Sequence, residues 1–344
     1  MFLLVSVLFA FVFGSIIGSF LNVVIHRVPR GESVVFPGSK CPTCSNSIAW
    51  YDNIPIVSWI ALGAQCRHCK TPISGRYAAV EALVGLLSAL LWAKLATPML
   101  HGVSHWAMLD MQQLFIPFFM YFTFIALSVS IAFIDLELFI IPHSLSIPGI
   151  LLGLASPWVI GYLFSTQELL HLWPPITPTI SFMGALFGAV SIIAIFLIYL
   201  LLRGVPGMGG GDVTLMAMMG AWLGWPALLF IFFAASIQGL MAAGLTTVLG
   251  INFVKDAKEV LDEDPVASHD DAEQHEEDKP LNDDAATDLE KDEDATSKED
   301  EEDDDEEFGA AIPFGPFIVL AGLEHFFFGP FLPDTISMLY MYIY

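Results

Sequence analysis

The sequence is short of charge, and above all of positive charge. Thirteen Lys and Arg stand against 37 Asp and Glu, and only 15% of the 344 residues are charged. There is no basic patch or stripe. That excludes nucleic acid as a partner, because binding a phosphate backbone needs clustered Lys and Arg. Cysteine is scarce too. The four cysteines all fall within residues 41–69, too few and too local for a secreted disulfide scaffold. Apolar residues are what the chain has in excess: they form 55% of it, and the mean hydropathy is +0.66. A simple soluble enzyme does not have that composition.

The net charge of −24 looks wrong for a membrane protein until it is located. Residues 256–307 carry 27 of the acidic residues and four of the basic ones, a net of −23, which leaves −1 for everything else. The chain is a nearly neutral, very apolar body with one acidic insert. Dense like charge without apolar periodicity predicts disorder for that insert.

A membrane span takes about 20 apolar residues. Residues 2–25, 77–97, 114–134, 145–164 and 180–202 qualify. The stretch 213–251 is long enough for a short helix, a break near Gly224-Trp225-Pro226 and a full helix, and a last apolar run follows Phe314. The first run has no Lys or Arg before it and no small-residue cleavage site followed by a polar chain. It reads as a retained span and not as a removed signal peptide. The expected fold class is therefore an all-α polytopic membrane protein of about eight transmembrane helices, with a small cytoplasmic four-cysteine zinc module.

Nine basic residues lie outside the insert. Six of them, Arg27, Arg30, Lys40, Arg67, Lys70 and Arg76, fall between the first two spans. The positive-inside rule places that loop in the cytoplasm. Alternation then brings the sparse polar loops 135–144 and 203–212 to the same face, and the insert joins them if the short sixth helix crosses. The expected organisation is a first span over 1–26, a cysteine loop over 27–76, and a second span with its external loop over 77–113. A membrane core over 114–254, the acidic insert over 255–308 and a last turn and span over 309–344 follow.

The cysteines form two Cys-x2-Cys pairs, Cys41/Cys44 and Cys66/Cys69, with 21 residues between them. Two such knuckles can supply four thiolates to one zinc ion and close a tetrahedron. A cytoplasmic loop argues against the alternative, a pair of disulfides. Four thiolates leave no open position, so the metal's role is structural. His68 reads as a surface residue. The aromatics Trp50, Tyr51 and Trp59 could pack a small core around the metal or lie in the membrane interface.

Ionisable residues in or beside spans are functional candidates. Asp135 ends the third span and Asp212 opens the sixth helix after Gly209-Gly210-Gly211. Glu81 and Lys94 lie within the second span, and Glu137 sits two residues from Asp135, a spacing that points it elsewhere on a helix. Two nearby carboxyl groups cannot easily both ionise, so they can divide the acid and base roles of peptide hydrolysis and titrate as a pair. Gly209 and Gly211 would let a substrate strand approach the backbone closely. Each aspartate also has a plainer reading: Asp212 as a helix N-cap, Asp135 as a helix-end residue facing water.

These segments, in this order, resemble the bacterial type IV prepilin peptidases, the bifunctional leader peptidase/N-methyltransferases. The carriers are Gly18–Arg27, the four cysteines with Asn53-Ile54-Pro55 and Gly75-Arg76-Tyr77, Ile134-Asp135 with Ile141-Pro142, Gly209-Gly210-Gly211-Asp212 and Pro313-Phe314-Gly315-Pro316. The resemblance implies an inner-membrane aspartic endopeptidase that cleaves the short basic leader of prepilins or pseudopilins on the cytoplasmic side. It also implies methylation of the new N-terminal amine with S-adenosylmethionine. Asp135 and Asp212 would be the catalytic pair, and Cys41, Cys44, Cys66 and Cys69 the zinc ligands. No residues are read as the methyl-donor site, and no soluble Gly-rich dinucleotide-type turn is present. The chain departs from the family in two places. His143 stands where an aspartate usually follows Ile-Pro, and could make cleavage pH-sensitive. The acidic insert replaces a short connection, and could attract basic leader peptides electrostatically. A peptidase without methylation and a non-enzymatic zinc-containing membrane adaptor or transporter are the alternative readings.

Overall fold

A computed structural model of the chain describes residues 2–101, 111–163, 174, 177–204, 209–249 and 313–329. The acidic insert and the run after residue 329 lie outside them. The described residues are helical, with no strand beyond two isolated bridges in the cysteine loop. In chain order the α-helices are α1 (Phe2–Arg27), α2 (Val57–Ala61), α3 (Gly75–His101), α4 (Met111–Leu138), α5 (His143–Leu163), α6 (Pro178–Arg203), α7 (Gly210–Leu223), α8 (Trp225–Leu249) and α9 (Gly315–Phe328).

Local chemistry sets the helix ends. Pro29 follows the last residues of α1 and cannot continue its hydrogen-bond ladder. At the start of α6, the Thr177 hydroxyl accepts from the Ile180 N–H at 3.3 Å with Pro178 at the first helical position. The same helix stops at Gly204, whose left-handed φ of 75° lets its N–H reach the Leu200 carbonyl at 2.9 Å. Gly224, at φ 81°, separates α7 from α8, where Pro226 follows at once. The break expected near Gly224-Trp225-Pro226 is there.

Among the described residues, six helices are long and apolar enough to cross a membrane: α1, α3 (over Gly75–Ala96), α4, α5, α6 and α8. The expectation of about eight spans is not reached. Helices α7 and α9 have 14 residues each, about 21 Å at 1.5 Å per residue, against an apolar layer of about 30 Å. Helix α7 is buried along its whole run Leu215–Leu223. Around it the core closes: Phe124 of α4 stacks on Trp222 of α7 at 5.2 Å, and Tyr121 of α4 meets Phe326 of α9 at 5.1 Å.

Lipid tails are as apolar as leucine, so membrane helices associate through close packing and interhelical hydrogen bonds. Gly184 of α6 and Gly220 of α7 pack so closely that a Cβ on either would strike the other's backbone carbonyl. Gly14 and Gly18 of α1 lie against Ser88 and Glu81 of α3 in the same way. Hydrogen bonds reinforce these contacts: Ser88 Oγ donates to the Ala10 carbonyl at 2.8 Å, Ser181 Oγ to Ala221 at 2.7 Å and Trp222 Nε1 to Gly149 at 2.8 Å. The outward faces are apolar, with Phe9 of α1 at 73% exposure and Phe233 of α8 at 71%. Surface of that kind on long apolar helices suits a lipid environment. The fold is an all-α, multi-pass membrane protein.

Candidate active site and cysteine cluster

Helix α4 runs one turn beyond the expected span end, to Leu138, and stops where Phe139 turns left-handed at φ 56°. Asp135 therefore lies inside the last helical turn. It is buried at 5% exposure, not facing water. Its Oδ2 accepts a hydrogen bond at 3.0 Å from the N–H of Gly315, the first residue of α9. A Cβ on Gly315 would collide with that same oxygen. The glycine is what lets the backbone reach the carboxylate.

Asp212 is half-buried and occupies the third position of α7, not the N-cap. Gly209 is the N-cap, and its N–H donates to Asp212 Oδ2 at 3.3 Å. The side chain thus reaches back to satisfy a free helix-start donor, the acidic half of a capping box. Ile141 lies between the two aspartate-bearing segments. A Cβ on Gly211 would fall 2.6 Å from the Ile141 Cβ, and one on Gly315 would fall 3.3 Å from its Cδ1. Through Ile141, Gly211 and Gly315, the segments that carry the two aspartates, 77 residues apart in sequence, come together.

Two residues on from Asp212 begins a polar chain that no motif or spacing announces. Thr214 Oγ1 donates to the Gly211 carbonyl at 2.9 Å and accepts from Ser146 Oγ at 2.9 Å. His143 Nδ1 lies 3.4 Å from the same hydroxyl. Ser146 is fully buried. These bonds tie the first turn of α7 to the start of α5. Glu137 points away from Asp135, as its spacing requires, and pairs with Arg76 at 2.5 Å. That pair joins the start of α3 to the aspartate end of α4.

The other ionisable residues in the second span have structural partners. The Glu81 carboxylate accepts from the Ile56 N–H at 2.7 Å, pinning the cysteine loop to α3. Lys94 donates to the Phe326 carbonyl and sits 4.1 Å over that residue's ring.

The cysteines fold into two copies of one knuckle. In the first, Cys41 N–H donates to Asn46 and Ser45 N–H returns to the Cys41 carbonyl at 2.9 Å; in the second, Cys66 and Lys70 repeat the pattern at 2.9 and 3.1 Å. Ser45 and Lys70 both turn left-handed, at φ 56° and 61°. All four thiols are free, and their sulfurs lie within 4.8 Å of one another. The Cys41–Cys69 sulfurs are 3.7 Å apart. A tetrahedron of roughly 2.3 Å zinc–thiolate bonds has edges of roughly 3.8 Å, so the donor set fits zinc in size and chemistry. The Thr71 hydroxyl and N–H draw the Cys69 thiol down to about 6, while desolvation and the three neighbouring sulfurs push Cys44 up to about 11. Arg67 grips Asp52 through two hydrogen bonds, 2.7 and 2.5 Å, and holds its carboxyl below the usual range. Of the loop aromatics, Trp59 donates to the Ile73 carbonyl at 3.1 Å, whereas Trp50 is 81% exposed. His68 is on the surface, as expected.

Comparison with known proteins identifies the family. Residues 12–95 match the bacterial peptidase A24 N-terminal domain, and residues 122–244 match the type IV leader peptidase family. The chain belongs to the type IV leader peptidase family. Proteins named prepilin leader peptidase/N-methyltransferase are similar to it. That of Neisseria gonorrhoeae is 35% identical over 259 residues, 68% of this chain and 80% of its own length. That of Burkholderia pseudomallei strain 1026b is 31% identical over 263 residues, 69% of this chain and 75% of its own. That of Myxococcus xanthus is 39% identical over 236 residues, 67% of this chain; the match spans 60% of the Myxococcus protein. No solved structure matches. The second family match contains Asp135 and Asp212 together, and the first contains all four cysteines.

Proposed function

We propose that the protein is a membrane aspartic endopeptidase that cleaves the leader of type IV prepilins or pseudopilins, and that it then methylates the new N-terminal amine. The observation that carries the reading is Ile141 packed against Gly211 and Gly315, which draws the Asp135 and Asp212 segments together in a chain of this family. Two like charges held close favour sharing one proton. In the working state one carboxylate takes a proton from water as the oxygen attacks the scissile carbonyl. The protonated partner gives its proton to the departing amide nitrogen. Water's second proton remains on the new carboxyl product or is lost to solvent, and the pair returns to one shared proton. Gly315 N–H holds Asp135 Oδ2 in place throughout.

The four cysteines would hold a structural Zn2+ that fixes the two knuckles. S-adenosylmethionine would supply the methyl group as an electrophile to the freed amine, an activity that the relatives' name carries. The site would face the cytoplasm from the bacterial inner membrane. Support comes from the basic residues between α1 and α3 and from the Arg76–Glu137 pair, which puts the aspartate end of α4 on the side of that loop. The acidic insert, which the chain leaves shortly before Gly315 and its bond to Asp135, would gather basic leaders near the site.

The test is cleavage of a full-length prepilin by the purified protein in detergent, with wild type, Asp135→Asn and Asp212→Asn. Each substitution should lower leader release by about 10²–10⁴-fold, the range for loss of an acid or base. Wild-type cleavage by either folded variant overturns the assigned pair.

A further inference from the structure

The cysteine loop does not stand clear of the membrane helices. Glu81, which accepts the Ile56 N–H, is the seventh residue of α3. At about 1.5 Å per residue it lies about 9 Å along the helix from Gly75. Residue 56 therefore hangs beside the span and not above it. The loop residues around it are apolar: Ile54, Ile56 and Val57 form one wall of a cavity of ≈ 790 Å³ together with Val35. The opposite wall is the outer face of α1, where Val12, Ile16 and Phe20 are about half exposed. That stripe runs on down α1 through Leu8 and Phe9, at 62% and 73% exposure. On an apolar span this face meets lipid, so the cavity continues a lipid-facing surface up to the underside of the loop.

The loop's own apolar exposure lies beside the cavity. Val35, Phe36, Val57 and Ile60 are 67%, 77%, 60% and 66% exposed. Four such side chains in open water would be costly, and among the described residues none covers them. Six basic residues against two acidic ones give residues 27–76 the sign that anionic headgroups attract.

We infer that the cysteine module is seated in the membrane interface, with an anionic phospholipid's acyl chain in the cavity between α1 and residues 54–57. The occupant is an acyl chain because the walls are mostly apolar, Ser15, Ser19, Arg27, Ser39 and Asn53 being their polar part. It is a lipid because one wall is the lipid-exposed face of a span. Its headgroup is anionic because the loop above carries excess Lys and Arg. The inference needs α1 to span the bilayer and does not need the peptidase assignment.

The test places p-benzoylphenylalanine at Val35 or Val57 of the full chain in nanodiscs containing phosphatidylglycerol. After irradiation, adducts are identified by mass. Position Phe9 serves as the lipid-facing reference and Asn46, exposed on the first knuckle, as the water-facing one. Phospholipid adducts at 35 and 57 at the level seen for Phe9, with none at Asn46, are expected. Labelling at 35 and 57 as low as at Asn46, or cross-links joining two copies of the chain, overturns the inference. Val57→Asp should cut the lipid adduct at position 35; no change there also counts against a shared acyl-chain site.

Discussion

Gly315→Ala separates the geometry of the proposed site from the stability of the fold. A Cβ at residue 315 would collide with Asp135 Oδ2 while remaining 3.3 Å from the Ile141 Cδ1. Restoring a normal contact of about 3.5 Å requires the carboxylate to move by about 1 Å. The atom that must move is the free end of a side chain, so the fold can accommodate the change. A misplacement of about 1 Å in a catalytic group costs on the order of 10²-fold in rate, or about 2.7 kcal/mol of transition-state stabilisation. Gly220→Ala makes the contrast. Its Cβ would strike the backbone carbonyl of Gly184 in a neighbouring helix. Backbone cannot rotate away, and overpacking of this kind costs roughly 1–3 kcal/mol or more of stability. The assay is prepilin cleavage measured beside thermal unfolding in the same detergent. Gly315→Ala should keep most of its unfolding temperature and lose kcat; Gly220→Ala should lose unfolding temperature first. A Gly315→Ala protein that cleaves at the wild-type rate would refute the claim that this N–H positions a reacting carboxylate.

Thr214→Val keeps the shape of the side chain and removes the hydroxyl that joins Gly211, Ser146 and His143. It should lower kcat by about 10-fold with little change in KM, because a net hydrogen bond of about 0.5–1.5 kcal/mol is lost beside Asp212; an unchanged kcat would remove Thr214 as a positioning residue. Cys44→Ser should lose most bound zinc, measured by metal analysis of the purified protein, and lower the unfolding temperature, since a structural site contributes to folding directly. Full zinc content in that variant would sink the four-thiolate site. Deleting residues 260–305 should raise KM for a basic leader at low salt and matter little at high salt, where the screening length falls to about 3 Å at 1 M. Equal low-salt kinetics would leave the insert without the proposed role.

Hydropathy located every long helix within a few residues, because a span needs continuous apolar sequence and leaves a continuous trace. It also counted α7 as a span, and at 14 residues α7 is too short to be one. Helix α7 is apolar because protein surrounds it on all sides, and a helix buried all round has no polar face to betray it. Composition alone cannot distinguish that from lipid on all sides. The same limit applies to charge in spans. Glu81, Lys94 and Asp135 look alike in sequence, as single ionisable groups in apolar runs. Their partners separate them: a loop N–H for Glu81, a carbonyl and a ring for Lys94, and for Asp135 a helix-start N–H 180 residues away beside a second carboxylate. The knuckles were legible because the cysteines of each lie three residues apart in sequence. The donor from Gly315 and the Thr214 link were not, because nothing periodic connects residues 135, 146, 214 and 315. On the proposed reading, what sets the aspartates apart from Glu81 and Lys94 is a second carboxylate nearby, where Glu81 and Lys94 have backbone or aromatic partners. That distinction belongs to packing: Ile141, wedged between Gly211 and Gly315, brings two groups of the same sign together where Glu81 and Lys94 each find a polar or aromatic partner.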